Sequence, residues 1–203
     1  TFTLDLYGDK LVSLGVDSKI LEQVIGPDGK PISSFIKNGG SIQANGGTVF
    51  LEVNAARNVV DQVINMDGLI EAKTAVQENG EIILYGGDEG IVNVTGTLDA
   101  SGKGFGETGG EVHVSGEWVA LLENAFIDVS GDLGGGIALI GGGYQGKGLV
   151  PTSEKTYFHS TAFVTADALT SGDGGKVILW ADDTTYFYGG ISAIGGYQNG
   201  DGG

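Results

Sequence analysis

One short phrase recurs six times along the chain: GGSIQA at 39–44, DGLIEA at 67–72, TGTLDA at 95–100, NAFIDV at 124–129, TAFVTA at 161–166 and GGISA at 189–193. Its apolar anchors, Ile42, Ile70, Leu98, Ile127, Val164 and Ile191, stand 28, 28, 29, 37 and 27 residues apart. A period of this length marks a supersecondary unit that cannot bury its own apolar face and has to stack on its neighbours.

Two further words fill each period. One precedes the anchor: FIKN at 35, VINM at 63, IVNV at 91, ALLE at 120, YFHS at 157 and TTYF at 184. The other comes before it, usually after Gly-Gly or Asn-Gly: TVFLEV at 48, EIILYG at 81, EVHVSG at 111, GIALIG at 136 and KVILWA at 176. Three strand-sized words and three turns leave no room for the helices that normally link parallel strands. The 39 glycines, each costing about 1 kcal/mol in a helix interior, also argue for strands. The chain is therefore predicted to be all-β, a parallel β-helix with three strands per coil and about six coils, roughly 29 Å long at a strand spacing of about 4.8 Å.

Alternation assigns faces to the words. In the anchor strand Gln43, Glu71, Asp99, Asp128, Thr165 and Ser192 point outward. Glu71, Asp99 and Asp128 then stack as like charges, which is unfavourable unless relieved. A solvated face helped by Lys73 is one form of relief, and a bridging divalent cation such as Ca2+ is another; no other cofactor is expected. In the first strand, Val49, Leu51, Val53, Ile82, Leu84, Val112, Val114, Ile137, Leu139, Val177, Leu179 and Ala181 are placed inside. That leaves Phe50, Ile83, Tyr85, Ile140, Ile178 and Trp180 on an outer wall rich in apolar surface, a candidate interface. Two segments offer themselves as internal cover instead. One is the inserted loop 141–155. The other is 17–35, where Ile20, Leu21, Val24 and Ile25 have helical spacing before the Gly26-Pro27 stop.

Composition narrows the functional classes. With 26 acidic against 10 basic residues and a net charge of −16, nucleic-acid binding is disfavoured. The absence of cysteine excludes disulfides and thiolate metal sites and suits a secreted chain. Asp182 and Asp183 break the most apolar stretch, so no membrane insertion is expected. For catalysis, Arg57 is the sole arginine, and His113 and His159 are expected on different walls in different coils. The pair Asp182-Asp183 reads as a turn. SGDGG at 171 and NGDGG at 199 read as turns too, and G-x-S-x-G is absent. The chain is not expected to be an enzyme. Its opening TFTLDLYGDK and uncapped closing NGDGG lead to the expectation of a piece of something longer, continued or stacked end to end.

The ordered phrases NGGSIQANGGTVFL, VINMDGLIEA, VTGTLDASG, GGIALIGGGYQGKG, TADALTSGDGGKVILWADDTTYFYGGISAIGG and NGDGG resemble the filamentous haemagglutinin family of two-partner secretion exoproteins along the whole of 1–203. The resemblance implies a right-handed coil, export through a dedicated outer-membrane pore, and a secreted, cell-surface fibre used in adhesion. The family's Asn-Pro-Asn motif is missing, since the only prolines are Pro27, Pro31 and Pro151. The resemblance therefore points to a single β-helical section following the secretion domain. A structural shaft segment of such an adhesin, contacting the pore during export and neighbouring β-helix segments or stacked copies afterwards, is the leading reading. A glycan- or cell-surface-receptor-binding module is the alternative, with a β-helical carbohydrate-active enzyme third. Asn93-Val94-Thr95 matches a glycosylation sequon.

Overall fold

The structure, a computed structural model, describes residues 2–4, 11–15, 19–57, 59–75 and 78–203. After β1 (Phe2–Leu4) the strands fall into triplets: β2, β3 and β4 (Leu11–Gly15, Ser34–Asn38, Ser41–Gln43); β5, β6 and β7 (Thr48–Glu52, Gln62–Met66, Leu69–Glu71); β8, β9 and β10 (Glu81–Tyr85, Ile91–Val94, Thr97–Asp99). The series continues with β11, β12 and β13 (Glu111–Ser115, Trp118–Leu121, Phe126–Asp128); β14, β15 and β16 (Ile137–Ile140, Lys155–Phe158, Phe163–Thr165); β17, β18 and β19 (Lys176–Leu179, Thr184–Phe187, Gly190–Ser192). Each member of a triplet joins a different sheet, so the chain is a parallel β-solenoid of three sheets and six coils, with five rises between the first coil and the last. β1 alone runs antiparallel, against β2 at the edge of the first sheet.

The anchors form one column. Ile42, Ile70, Leu98, Ile127, Val164 and Ile191 are successive register partners through the third sheet. The four central members are fully buried. They meet Leu51, Leu84 and Val112 of the first sheet and Met66, Val94 and Leu121 of the second in one continuous core.

The corner leading into the first sheet explains the recurring Gly-Gly. Gly110 donates its N–H to Ala100 O and Gly136 to Val129 O, both at 2.7 Å, closing the bend from each anchor strand. Adjacent coils touch there backbone to backbone: a Cβ on Gly110 would fall 2.1 Å from Gly80 O, and one on Gly136 or Gly175 would fall 2.1 Å from the glycine oxygen one coil below. Any side chain would push the coils apart.

Three expectations are corrected. In β14 the inward residues are Ala138 and Ile140, not Ile137 and Leu139: Ala138 pairs with Val112 and Ile140 with Val114, and both are fully buried. The word IALI is apolar at every position, so alternation cannot choose its face; pairing of Ile137 with Glu111 does. The second-sheet strands of the fourth and fifth coils are Trp118–Leu121 and Lys155–Phe158, two residues earlier than ALLE and YFHS. An even slip preserves the faces but shifts every neighbour.

Third, within 17–35, where Asp17 and Ser18 lie outside the described residues, there is no helix. Ile20 bridges Ala55, and Ile25 bridges Pro31 across a Gly26-Pro27-Asp28-Gly29 turn with Gly29 at φ +75°. Pro and Gly at the second and fourth turn positions favour this bend.

Candidate interaction surfaces and ionic sites

On the third sheet, Glu71, Asp99 and Asp128 are register partners, as expected. Lys73 reaches two of them, with Nζ 2.9 Å from Glu71 Oε2 and 3.3 Å from Asp99 Oδ2; Lys103 takes the third, 2.6 Å from Asp128 Oδ2. The hydrogen bond from Lys73, then that from Asn45, holds the Glu71 carboxyl below the usual carboxylate range. Two ammonium groups thus relieve the carboxylate column, Lys73 as the sequence reading allowed and Lys103 in addition. Lys103 was missed because it leaves the chain four residues after Asp99 and reaches Asp128 of the next coil.

The first-sheet wall is a ladder. Phe50, Ile83, His113, Leu139 and Ile178 are successive partners, each half-buried by those above and below. Ile140 is not part of it. Tyr85 donates to Asp88 Oδ1 at 2.8 Å, and its hydroxyl is pushed up to about 12 by burial first and by Asp88 second. Trp180 donates its indole N–H to Asp182 Oδ1 at 2.9 Å and lies under the inserted loop, so close that a Cβ on Gly146 would come within 3.1 Å of the indole nitrogen. The loop therefore covers Trp180 in the sixth coil, whereas the 19–33 segment runs beside Asn54 and Ala56 in the second.

The second sheet carries an aromatic row that the sequence reading missed. Tyr157 pairs with Tyr186, their rings 6.5 Å apart, and lies 5.9 Å from the Tyr188 ring. One coil below, Lys155 Nζ stands 4.9 Å over the Trp118 ring. Trp118, Tyr186 and Tyr188 are 39%, 48% and 60% exposed, more than any member of the first-sheet ladder. The two-residue slip hid this stack by setting Tyr157 over Thr184. Beside Trp118 opens a crevice of about 570 Å³ between the 23–33 segment and the solenoid, where Arg57 ion-pairs with the buried Glu117. Burial pushes the Glu117 carboxyl up, against the pull of Arg57.

The catalytic candidates do not converge. Asp182 accepts from Thr152 Oγ1 at 2.6 Å as well as from Trp180, which holds its carboxyl low, and Asp183 accepts from Thr184 Oγ1 at 3.1 Å. Both brace the turn between β17 and β18. His113 lies on the first sheet and His159 follows β15 of the second. Asn93 of the sequon points its amide at Gln62 Oε1, 3.4 Å away.

The chain is similar to a bacterial secretion domain. The match is to the HMW1 secretion domain from Haemophilus influenzae, at 25% identity and a TM-score of 0.65, covering 82% of this chain and 40% of that one. No protein-family model and no curated protein matches the sequence. The likeness agrees with the filamentous haemagglutinin resemblance, though it is to a secretion domain rather than to the section after one. No helix among the described residues is long and apolar enough to cross a membrane.

Proposed function

We propose that this chain is a structural segment of an exported, filamentous haemagglutinin-like exoprotein, handed across an outer membrane by a two-partner secretion pore and serving as a stiff shaft at the cell surface. The observation that carries this reading is the unbroken register of three parallel sheets through six coils, in a chain similar to a secretion domain. Each coil satisfies the backbone groups of its neighbours, so bending the shaft would break hydrogen bonds along a whole side. Electron microscopy of the intact exoprotein tests it: an extended rod is expected, and a compact globule would refute it.

The aromatic row favours a second reading, a carbohydrate- or receptor-binding wall. Flat rings flanked by Lys155 and Asn93 offer faces for sugar C–H groups and polar edges for hydroxyls. On a glycan array, a reproducible ligand lost in Tyr157→Ala and Trp118→Ala would support the module, and silence would leave the shaft as the function.

A further inference from the structure

On the outer wall of the first sheet two carboxylates are stacked without a lysine or arginine ion-paired to either among the described residues. Glu81 of β8 and Glu111 of β11 are register partners, so their side chains leave the same face about one strand spacing apart, roughly 4.8 Å. Like charges so placed are destabilising. The third sheet relieves the same problem with Lys73 and Lys103. Here the neighbour is His113, two residues along β11 and therefore on the same face.

Ligand atoms of Glu81, Glu111 and His113 all lie within 4.8 Å of one another. Ile83 and Leu139 flank the imidazole below and above, leaving it 15% exposed. Its Nε2 is shut off from solvent and has no hydrogen-bond partner, standing 3.2 Å from Glu111 Oε2 without the alignment of a hydrogen bond. On the other side, Thr48 Oγ1 donates to Glu81 Oε2 at 3.2 Å, orienting that carboxylate from outside the cluster.

We propose that Glu81, Glu111 and His113 form a divalent transition-metal site that staples the third and fourth coils together, with zinc as its ion. One imidazole nitrogen and two carboxylate oxygens make a three-ligand zinc set that leaves the fourth, tetrahedral position to water. Calcium is selected against, because it takes about six to eight oxygens and these three side chains do not supply them. The ion would cancel the charge of both carboxylates and give the orphaned imidazole nitrogen its partner.

The test is calorimetric titration of the tag-free chain with zinc chloride at neutral pH, and with calcium chloride in parallel. One zinc per chain, no saturable calcium binding and a zinc-dependent rise in melting temperature are expected. His113→Ala and Glu111→Gln should each abolish saturable zinc binding, while His159→Ala keeps it. Melting in chelator controls for folding: Glu111→Gln, which removes a like-charge contact, should melt no lower than the parent. Failure of the parent chain to take up zinc saturably, or uptake that survives His113→Ala, would overturn the proposal.

Discussion

Replacing Ile127 by alanine should cost far more than the same change at Ile191, although the two residues occupy one column. Ile127 is fully buried between Leu98 and Val164. Removing three carbons there forfeits roughly 2.4 kcal/mol of transfer free energy, at about 0.8 kcal/mol per buried methylene. Hydrogen-bonded strands on both sides hold the walls apart, so a cavity remains and raises the total to about 3–4 kcal/mol. Ile191 is 40% exposed, and its column partner is Val164 alone. The change there forfeits roughly 1.4 kcal/mol and encloses no cavity. Urea unfolding followed by far-ultraviolet circular dichroism measures both. Equal losses at the two sites, or a loss below about 1 kcal/mol at Ile127, would refute the claim that the anchors fill a closed tube.

Gly110→Ala should destabilise by more than about 3 kcal/mol or prevent folding, because its Cβ meets Gly80 O; Gly29→Ala, at φ +75° with open space around it, should cost about 1 kcal/mol in the same assay. The lowered Glu71 carboxyl contributes stability that is present above the ordinary glutamate value near 4.3 and is lost as pH falls through the depressed folded value. Lys73→Met removes the main cause of that lowering, so the drop in urea midpoint between pH 7 and pH 3 should shrink; an unchanged drop would count against the lysine-bridged column. Cutting the inserted loop back from 144 to 151 should uncover Trp180, read as a red-shifted, more readily quenched emission in a Trp118→Phe background, with unaltered emission arguing that something else shields the ring.

The third sheet was legible because its words alternate apolar and polar in every coil, from Ile42-Gln43 to Ile191-Ser192, so period and face agreed. β14 was not, because IALI offers apolar residues to both sides and only pairing across coils chooses between them. The second sheet was misaligned where WVALLE and KTYFHS each hold two acceptable frames, and that error concealed the tyrosine stack. Helical spacing at 20–25 lost to the local turn chemistry of Gly26-Pro27-Asp28-Gly29. The Glu81, Glu111 and His113 cluster was within reach: laying EIILYG over EVHVSG puts the two glutamates in register. The same alignment sets no lysine or arginine beside that pair, unlike Lys73 beside Glu71.

The parallel, in-register stacking of the triplets has a consequence for how such a chain is made. Each new coil finds its hydrogen-bonding template in the coil immediately before it, 26 to 39 residues back along the first sheet, and among the described strands from β2 onward none waits for a distant part of the sequence to arrive. A polypeptide emerging thread-first from a narrow opening could wind up turn by turn on the far side. Every completed turn would then resist backsliding, so translocation would gain a direction from folding alone.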